Sequence, residues 1–154
     1  MAAGKSTVAQ ALAMRFTKSV HLRGDVFRRS IVAGREEMSP TPSEEALAQL
    51  RLRYRLAANV ADEYVRSGFT TVVQDIIIGP MLDEFLAMIT TRPLSLVVLS
   101  PSAEVVTQRE EQRDKTGYTS FRPSDLDSIL RSTLRAVLCL ACRRHPNRRG
   151  PQHR

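Results

Sequence analysis

The sequence has few of the residues that mark secreted, membrane or disulfide-rich proteins. Of its 154 residues two are cysteine, and tryptophan does not occur. Two cysteines do not make a disulfide framework in a chain of this length, so the composition is compatible with a reducing compartment. Uninterrupted apolar runs stay well below the roughly 18 residues of a membrane span, and the first residues lack the layout of a signal peptide. We therefore predict a cytoplasmic protein with no membrane partner.

Acidic residues are missing from the end of the sequence. All sixteen Asp and Glu residues lie at or before Asp127, and the seven arginines after it account for the formal net charge of +7. Nucleic-acid-binding surfaces usually interleave basic and aromatic residues on a folded face, yet no aromatic residue follows Arg135. We therefore predict that the charge belongs to a solvated tail and that nucleic acid is not a partner.

The length and the hydrophobic content of 42% fit one globular domain with a core. We assign residues 1–130 to this domain and residues 131–154 to a basic tail. The tail is rich in Arg and Pro, which resembles a disordered extension or translation in a shifted reading frame. It also contains four residues of metal-binding type whose spacing is not that of a zinc site, namely Cys139, Cys142, His145 and His153.

The opening sequence "MAAGKSTVAQALA" contains the second half of a phosphate-binding loop. In the full pattern, G-x-x-x-x-G-K-S/T, backbone N–H groups surround phosphates, the lysine reaches the terminal phosphates and the hydroxyl coordinates magnesium. Gly4, Lys5, Ser6 and Thr7 supply this half, with Ser6 as the predicted magnesium ligand. The first glycine of the pattern would precede Met1, so we expect the loop and the strand that feeds it to be incomplete. The alternative is a chance helix start.

Helical and short apolar segments alternate along residues 1–130, which is typical of a parallel sheet wrapped by crossover helices. The pattern predicts strands at about 19–22, 70–75 and 94–99. The clearest helix is predicted to begin at Thr41 as its cap, with Glu44 completing a capping box, and to end at Gly68. The fold class predicted is α/β, a P-loop type of parallel sheet flanked by helices, with its first strand missing or incomplete.

Two carboxylates stand at the ends of predicted strands. Asp25 follows "SVHL" in "HLRGDVFRR", and Asp75 ends "TTVVQD". Phosphate loops lie at the same edge of a parallel sheet, so both carboxylates are expected near Lys5. Asp25 could accept a proton from an acceptor hydroxyl, and Asp75 could hold magnesium through water. The alternatives are that Asp25 caps the next helix and that Asp75 is a turn residue.

Together these segments resemble the small P-loop phosphotransferases that include chloramphenicol phosphotransferase, the zeta toxins and related small-molecule kinases. The resemblance covers most of residues 1–130 and depends on "AAGKST", "HLRGDVFRR", "TTVVQDIIIG", "LSLVVLSPSAEVVTQREEQR" and "KTGY". It implies ATP and Mg²⁺ as cofactors, a small-molecule hydroxyl as the phosphate acceptor, and a lid that bears arginines. It does not imply which small molecule is phosphorylated.

Arg109 and Arg113 match the lid arginines of that group, in which they would neutralise charge as the phosphate leaves ATP. Residues four apart share one helix face, so both guanidiniums could reach the same phosphoryl group. The alternative is a solvated helix in which they pair with Glu110 or Asp114. Tyr118 and Phe121 are candidates for the acceptor pocket.

Two interpretations of the whole chain remain open at this point. One is an ATP-dependent small-molecule kinase, which we expect to be impaired in this chain because its phosphate loop is incomplete. The other is a non-catalytic or unstable remnant of the P-loop fold. The sequence does not indicate an oligomeric state.

Overall fold

The structure is a computed structural model that describes residues 4–99 and 101–111. The predictions for Arg113, Tyr118, Phe121 and the tail over 131–154 lie outside the described residues. None of the described helices is long and apolar enough to cross a membrane. The elements, in chain order, are α1 (Lys5–Ala13), β1 (Ser19–Arg23), α2 (Asp25–Arg29), α3 (Glu44–Arg66), β2 (Thr70–Gln74), α4 (Met81–Met88) and α5 (Ala103–Glu111).

Strands β1 and β2 form a parallel pair whose register runs from Ser19 opposite Thr70 to Arg23 opposite Gln74. Parallel neighbours need a long crossover connection, which α2 and α3 provide. Helix α1 packs against both strands, and α3 packs against the sheet and against α4. This confirms the two predicted strands, their parallel pairing and an α/β architecture for the described part of the chain.

The third predicted strand, over residues 94–99, is not observed. In the described part of the chain the sheet has two strands, and this segment pairs with neither of them. Leu94, Leu96 and Val97 are 38%, 43% and 68% exposed. A strand exists only where a neighbour takes up its backbone hydrogen bonds, and an apolar run does not show whether such a neighbour is present. The prediction of a strand here was therefore wrong for this structure.

Helix α3 has a different N-cap from the predicted one. The hydroxyl of Ser43 accepts a hydrogen bond from the Ala46 N–H at 3.0 Å, so Ser43 is the cap and Thr41 lies outside the helix. The other end is as predicted, because Gly68 has φ +80° and follows the last turn directly. That left-handed conformation favours glycine, and it lets the Gly68 N–H bond back to the carbonyl of Val65 at 2.9 Å.

The main core lies between α3 and α4. Its buried members are Tyr54, Ala57, Ala58, Phe85 and Ile89. The rings of Tyr54 and Phe85 meet edge to face with centroids 5.7 Å apart, and the Tyr54 hydroxyl donates to the carbonyl of Ile76 at 3.0 Å. Burial raises the pKa of Tyr54 to about 12, against the opposing charge of Arg53. Tyr54 thus connects α3 both to α4 and to the segment after β2.

A buried carboxylate fixes the chain after α4. Asp62 on α3 accepts hydrogen bonds from the backbone N–H groups of Thr90 and Thr91 at 2.9 and 3.1 Å. The hydroxyls of both threonines also donate to it, at 2.5 and 2.6 Å. Burial by itself would raise the pKa of Asp62, but these four bonds outweigh it and hold that pKa well below its usual range. Asp62 is therefore an ionised anchor of the fold.

Candidate functional site

The predicted phosphate-binding residues form the beginning of α1. Gly4 is the N-cap with φ 77°, and its carbonyl accepts the first helical bond from Val8 at 3.0 Å. Lys5 begins the helix and is half-buried, whereas Ser6 and Thr7 are exposed. The first turn contains no acidic residue. The backbone N–H groups and the positive end of the helix dipole make such a terminus favourable for binding an anion.

Helix α5 brings a further cation to this terminus. The position that a Cβ atom would take at Gly4 is 3.9 Å from Nη1 of Arg109. The predicted lid arginine is thus adjacent to the predicted phosphate loop, although about 100 residues separate them in the sequence. Lys5, Arg109 and the positive end of the α1 dipole therefore lie together at this terminus, and groups of this kind interact favourably with anions.

Asp25 lies at the point where β1 passes into α2. It is the first residue of α2 and is one-third exposed, with Arg29 Nη2 at 2.8 Å and Arg23 Nε at 3.5 Å. Gly24 is the N-cap and the helix has no side-chain cap, so the capping alternative for Asp25 is not what the structure shows. The Asp25 carboxylate is oriented by two guanidiniums and remains accessible to a ligand.

Asp75 follows β2 and is engaged by protein donors. Its side chain is 2% exposed, and Arg53 binds it through both Nε, at 2.9 Å to Oδ2, and Nη2. The backbone N–H of Ile76 donates to Oδ1 at 2.6 Å. Both carboxylate oxygens therefore already accept hydrogen bonds from the protein. A role for Asp75 in holding magnesium through water stays a prediction.

The two strand ends touch at Gly24. The N–H of Gly24 donates to the carbonyl of Gln74 at 3.0 Å, and a Cβ atom at position 24 would collide with the carboxylate of Asp75. Only glycine lets the strands approach this closely. Asp25 and Asp75 therefore lie at the same edge of the sheet, the relation expected for residues that follow parallel strands.

Sequence reasoning missed Arg53. Three arginines alternate in "LRLRYR" on α3, and the composition does not show which of them points inward. A signal was nevertheless present, because Arg53 lies three residues after Leu50 and four before the fully buried Ala57, on the inner face of α3. Its guanidinium side chain is 14% exposed. Burial lowers the pKa of Arg53 from its ordinary value.

His21 was also missed, and it connects the loop helix to the sheet. Its Nδ1 lies 2.9 Å from Oε1 of Gln10 on α1, and its Nε2 lies 3.0 Å from Oε1 of Gln74 on β2. Ser19 adds a second connection, since its hydroxyl donates to the carbonyl of Ala13 at 2.6 Å. These bonds hold α1, and with it the phosphate-binding residues, in register with the strands.

Within residues 4–99 and 101–111 no group of three or more His, Cys, Asp or Glu side chains is placed to hold a metal ion. Magnesium is commonly held by one or two protein oxygens together with the phosphates of its nucleotide. The exposed Ser6 hydroxyl at the start of α1 fits that mode of binding.

A parallel α/β arrangement with a glycine-led helix and cations at its start is the arrangement of P-loop nucleotide-binding proteins. Residues 1–138 match the model of the family described as "AAA domain", and the chain belongs to this family. This supports a nucleotide-binding, kinase-like character and an affinity for nucleotide with Mg²⁺ in general. It does not single out the group of chloramphenicol phosphotransferase and the zeta toxins. No curated protein matches the chain at a significant level.

Proposed function

We propose that the chain is an ATP-dependent phosphotransferase that transfers the γ-phosphoryl group of Mg·ATP to a hydroxyl of a small molecule. The observation that supports this most is the position of Arg109 beside Gly4, at the start of α1. During phosphoryl transfer charge spreads over the oxygens of the moving group, so cations next to a phosphate-binding helix terminus stabilise the transition state.

The nucleotide phosphates bind at the first turn of α1. The first N–H groups of a helix point out of its start, and in this proposal those at the beginning of α1 donate to phosphate oxygens. The Lys5 ammonium adds a point charge at the terminal phosphates. Ser6 would hold magnesium together with the nucleotide, and the ion would supply positive charge at the β- and γ-phosphates.

Asp25 is the proposed base. Its carboxylate takes the proton of the acceptor hydroxyl while the hydroxyl oxygen forms a bond to the γ-phosphorus. The bond between that phosphorus and the bridging oxygen breaks, and ADP leaves with the bonding electrons. Arg23 and Arg29 hold the carboxylate in place. Arg109 and Arg113 neutralise the charge that develops, as the resemblance implies.

Arg53 and Asp75 are proposed as positioning residues. Arg53 fixes Asp75, and the Asp75 carboxylate lies against the backbone of Gly24, the residue before the base. A shift of about 1 Å in a catalytic group typically lowers the rate a hundredfold. We therefore propose that this buried pair contributes to the rate by fixing the position of Asp25.

The test is transfer of labelled γ-phosphate from Mg·ATP to a panel of neutral alcohols, sugars and nucleosides, with the products separated by chromatography. We expect at least one acceptor to be phosphorylated, and Lys5→Met to abolish the product. The matched control is Lys18→Met, because Lys18 donates to the Ser67 carbonyl and lies over the Phe69 ring. Binding of Mg·ATP without transfer to any acceptor would favour the non-catalytic interpretation.

A further inference from the structure

We propose that Arg23 and Arg29 bind an oxyanion group of the phosphate acceptor, a carboxylate or a phosphate ester, beside the hydroxyl that Asp25 deprotonates. Both guanidiniums contact the Asp25 carboxylate directly, Arg29 through Nη2 at 2.8 Å and Arg23 through Nε at 3.5 Å. This inference rests on the proposed function, because it names the class of acceptor that the same site would take.

The group formed by Arg23, Asp25 and Arg29 carries an excess of positive charge. One carboxylate faces two guanidiniums, and within the described part of the chain neither arginine pairs with a second carboxylate. Asp75, the other carboxylate at this edge of the sheet, is buried and bound by Arg53, so it does not supply the missing negative charge. An anionic ligand would balance the charge of the group, and clusters of cations attract such ligands.

Both guanidiniums are accessible to a ligand. The side chains of Arg23 and Arg29 are 47% and 69% exposed, and that of Asp25 is 33% exposed. A guanidinium has five N–H donors in a planar fork that matches the oxygens of carboxylates and phosphates. Contact with one carboxylate leaves donors over, and hydrogen bonds between ionised groups are about twice as strong as neutral ones. The two arginines can therefore hold Asp25 and an oxyanion of the acceptor at the same time.

The arginines lie at the end of the sheet where the phosphate-binding helix begins. Helix α1 runs antiparallel to β1, because Ser19 bonds Ala13 where the two elements are connected and His21 contacts Gln10 further along both. From this second contact the start of α1 and the end of β1 are each about 7 Å away in the same direction. An acceptor held at the end of β1 is therefore on the same side as the nucleotide phosphates proposed at the start of α1.

The experiment measures binding without nucleotide. The full ¹⁵N-labelled chain is titrated in separate samples with glycerate, glycerol 3-phosphate and glycerol, and the arginine Nε–H signals are followed by NMR. We expect saturable shifts of Arg23 and Arg29 at a common midpoint with at least one of the two anions, and none with glycerol over the same concentrations. The anion that binds more tightly identifies a carboxylate or a phosphate as the preferred group of the acceptor.

Two variants separate this site from general attraction of anions to arginines. Arg29→Gln should weaken binding of the preferred anion about fivefold, because it removes one of the two guanidiniums. Arg35→Gln is the matched control and should change the affinity by less than about twofold. Arg35 has an exposure of 43%, close to that of Arg23, and it also shares its carboxylate with a second arginine, but that carboxylate is Glu37 rather than Asp25.

Three results would overturn the inference: no saturable shift of Arg23 and Arg29 with either anion, binding of glycerol as tight as that of the anions, or equal losses in the two variants. These outcomes are separate from those of the proposed function. Binding of an anion at the two arginines without phosphotransfer to any acceptor, neutral or anionic, would leave the site standing and refute the kinase. Transfer to neutral acceptors by a protein that binds neither anion would do the reverse.

Discussion

The two sides of the candidate site are built in different ways. On the strand-end side, the side chains of Arg53 and Asp75 are 14% and 2% exposed, and Asp75 lies against the backbone of Gly24. On the phosphate side, Ser6 and Thr7 are exposed and the binding groups are backbone N–H groups at a helix terminus. The strand-end side is therefore held by buried side-chain contacts, whereas the phosphate side depends on backbone geometry and surface charge.

This difference predicts how the two sides respond to substitution. A change in the buried pair disturbs folding as well as position, because a buried charge without its partner is costly. A change at an accessible group of the site alters chemistry or ligand affinity and leaves the fold intact. Asp25 combines both cases, because its carboxylate is accessible while the preceding residue, Gly24, packs against the buried Asp75.

The largest expected effect is on catalysis, for Asp25→Asn. The amide keeps the size of the side chain but cannot take the proton of the acceptor, so the rate of phosphotransfer should fall about 10²–10⁴-fold. The affinity for Mg·ATP should stay within a few-fold. Glu63→Gln is the control, at an exposed carboxylate near the end of α3, which leads into the opposite end of β2. Turnover that is equal in the two variants would remove Asp25 from the role of base.

The second-largest effect that we expect is a loss of stability, in Arg53→Met. The substitution leaves the buried Asp75 carboxylate without its cation, so the free energy of unfolding in urea should fall by about 3–5 kcal/mol. Arg55→Met changes an exposed neighbour on the same helix and should stay within about 0.5 kcal/mol.

The double variant Arg53→Met/Asp75→Leu sharpens this test. It removes both charges, so it should recover most of the loss. Equal stability of Arg53→Met and Arg55→Met would show that this pair does not hold the strand-end side, so the two sides of the site would not differ in the way described.

A third prediction concerns pH and extends the comparison to Asp62. Because the folded state lowers the pKa of Asp62, its contribution to stability is present above the ordinary carboxyl value, near pH 4, and is lost as the pH falls below it. The free energy of unfolding should decrease by about 2 kcal/mol more in the native chain than in Asp62→Asn over that acid range. Parallel curves for the two proteins, measured by urea unfolding between pH 6 and pH 2.5, would contradict the assignment.

The smallest effect is at the start of α3. Ser43→Ala removes the bond from the Ala46 N–H and should lower the free energy of unfolding by about 1 kcal/mol. Thr41→Ala should change it by less than about 0.5 kcal/mol, because Thr41 lies outside the helix. The opposite order would restore the cap predicted from sequence.

Local signals account for what the sequence predicted. The end of α3 at Gly68, the two strands and the strand-end positions of Asp25 and Asp75 each depend on a few neighbouring residues. The contacts that the sequence did not predict join residues that are far apart in the chain. Arg53 and Asp75 are 22 residues apart, and Asp62 and Thr90 are 28 apart. The same holds for segment 94–99. Whether it forms a strand depends on a pairing partner elsewhere in the chain, which its own composition does not reveal.

Binding of a nucleotide's phosphates by the start of α1 together with Arg109 is the step on which the proposed function depends. It is tested most directly by titrating Mg·ATP into the full ¹⁵N-labelled chain and following the backbone amides and the arginine Nε–H signals by NMR. We expect saturable shifts of Gly4, Lys5, Ser6 and Thr7, with the Arg109 side chain shifting at the same midpoint. Saturation elsewhere in the chain, or the absence of saturable shifts at the start of α1, would contradict it.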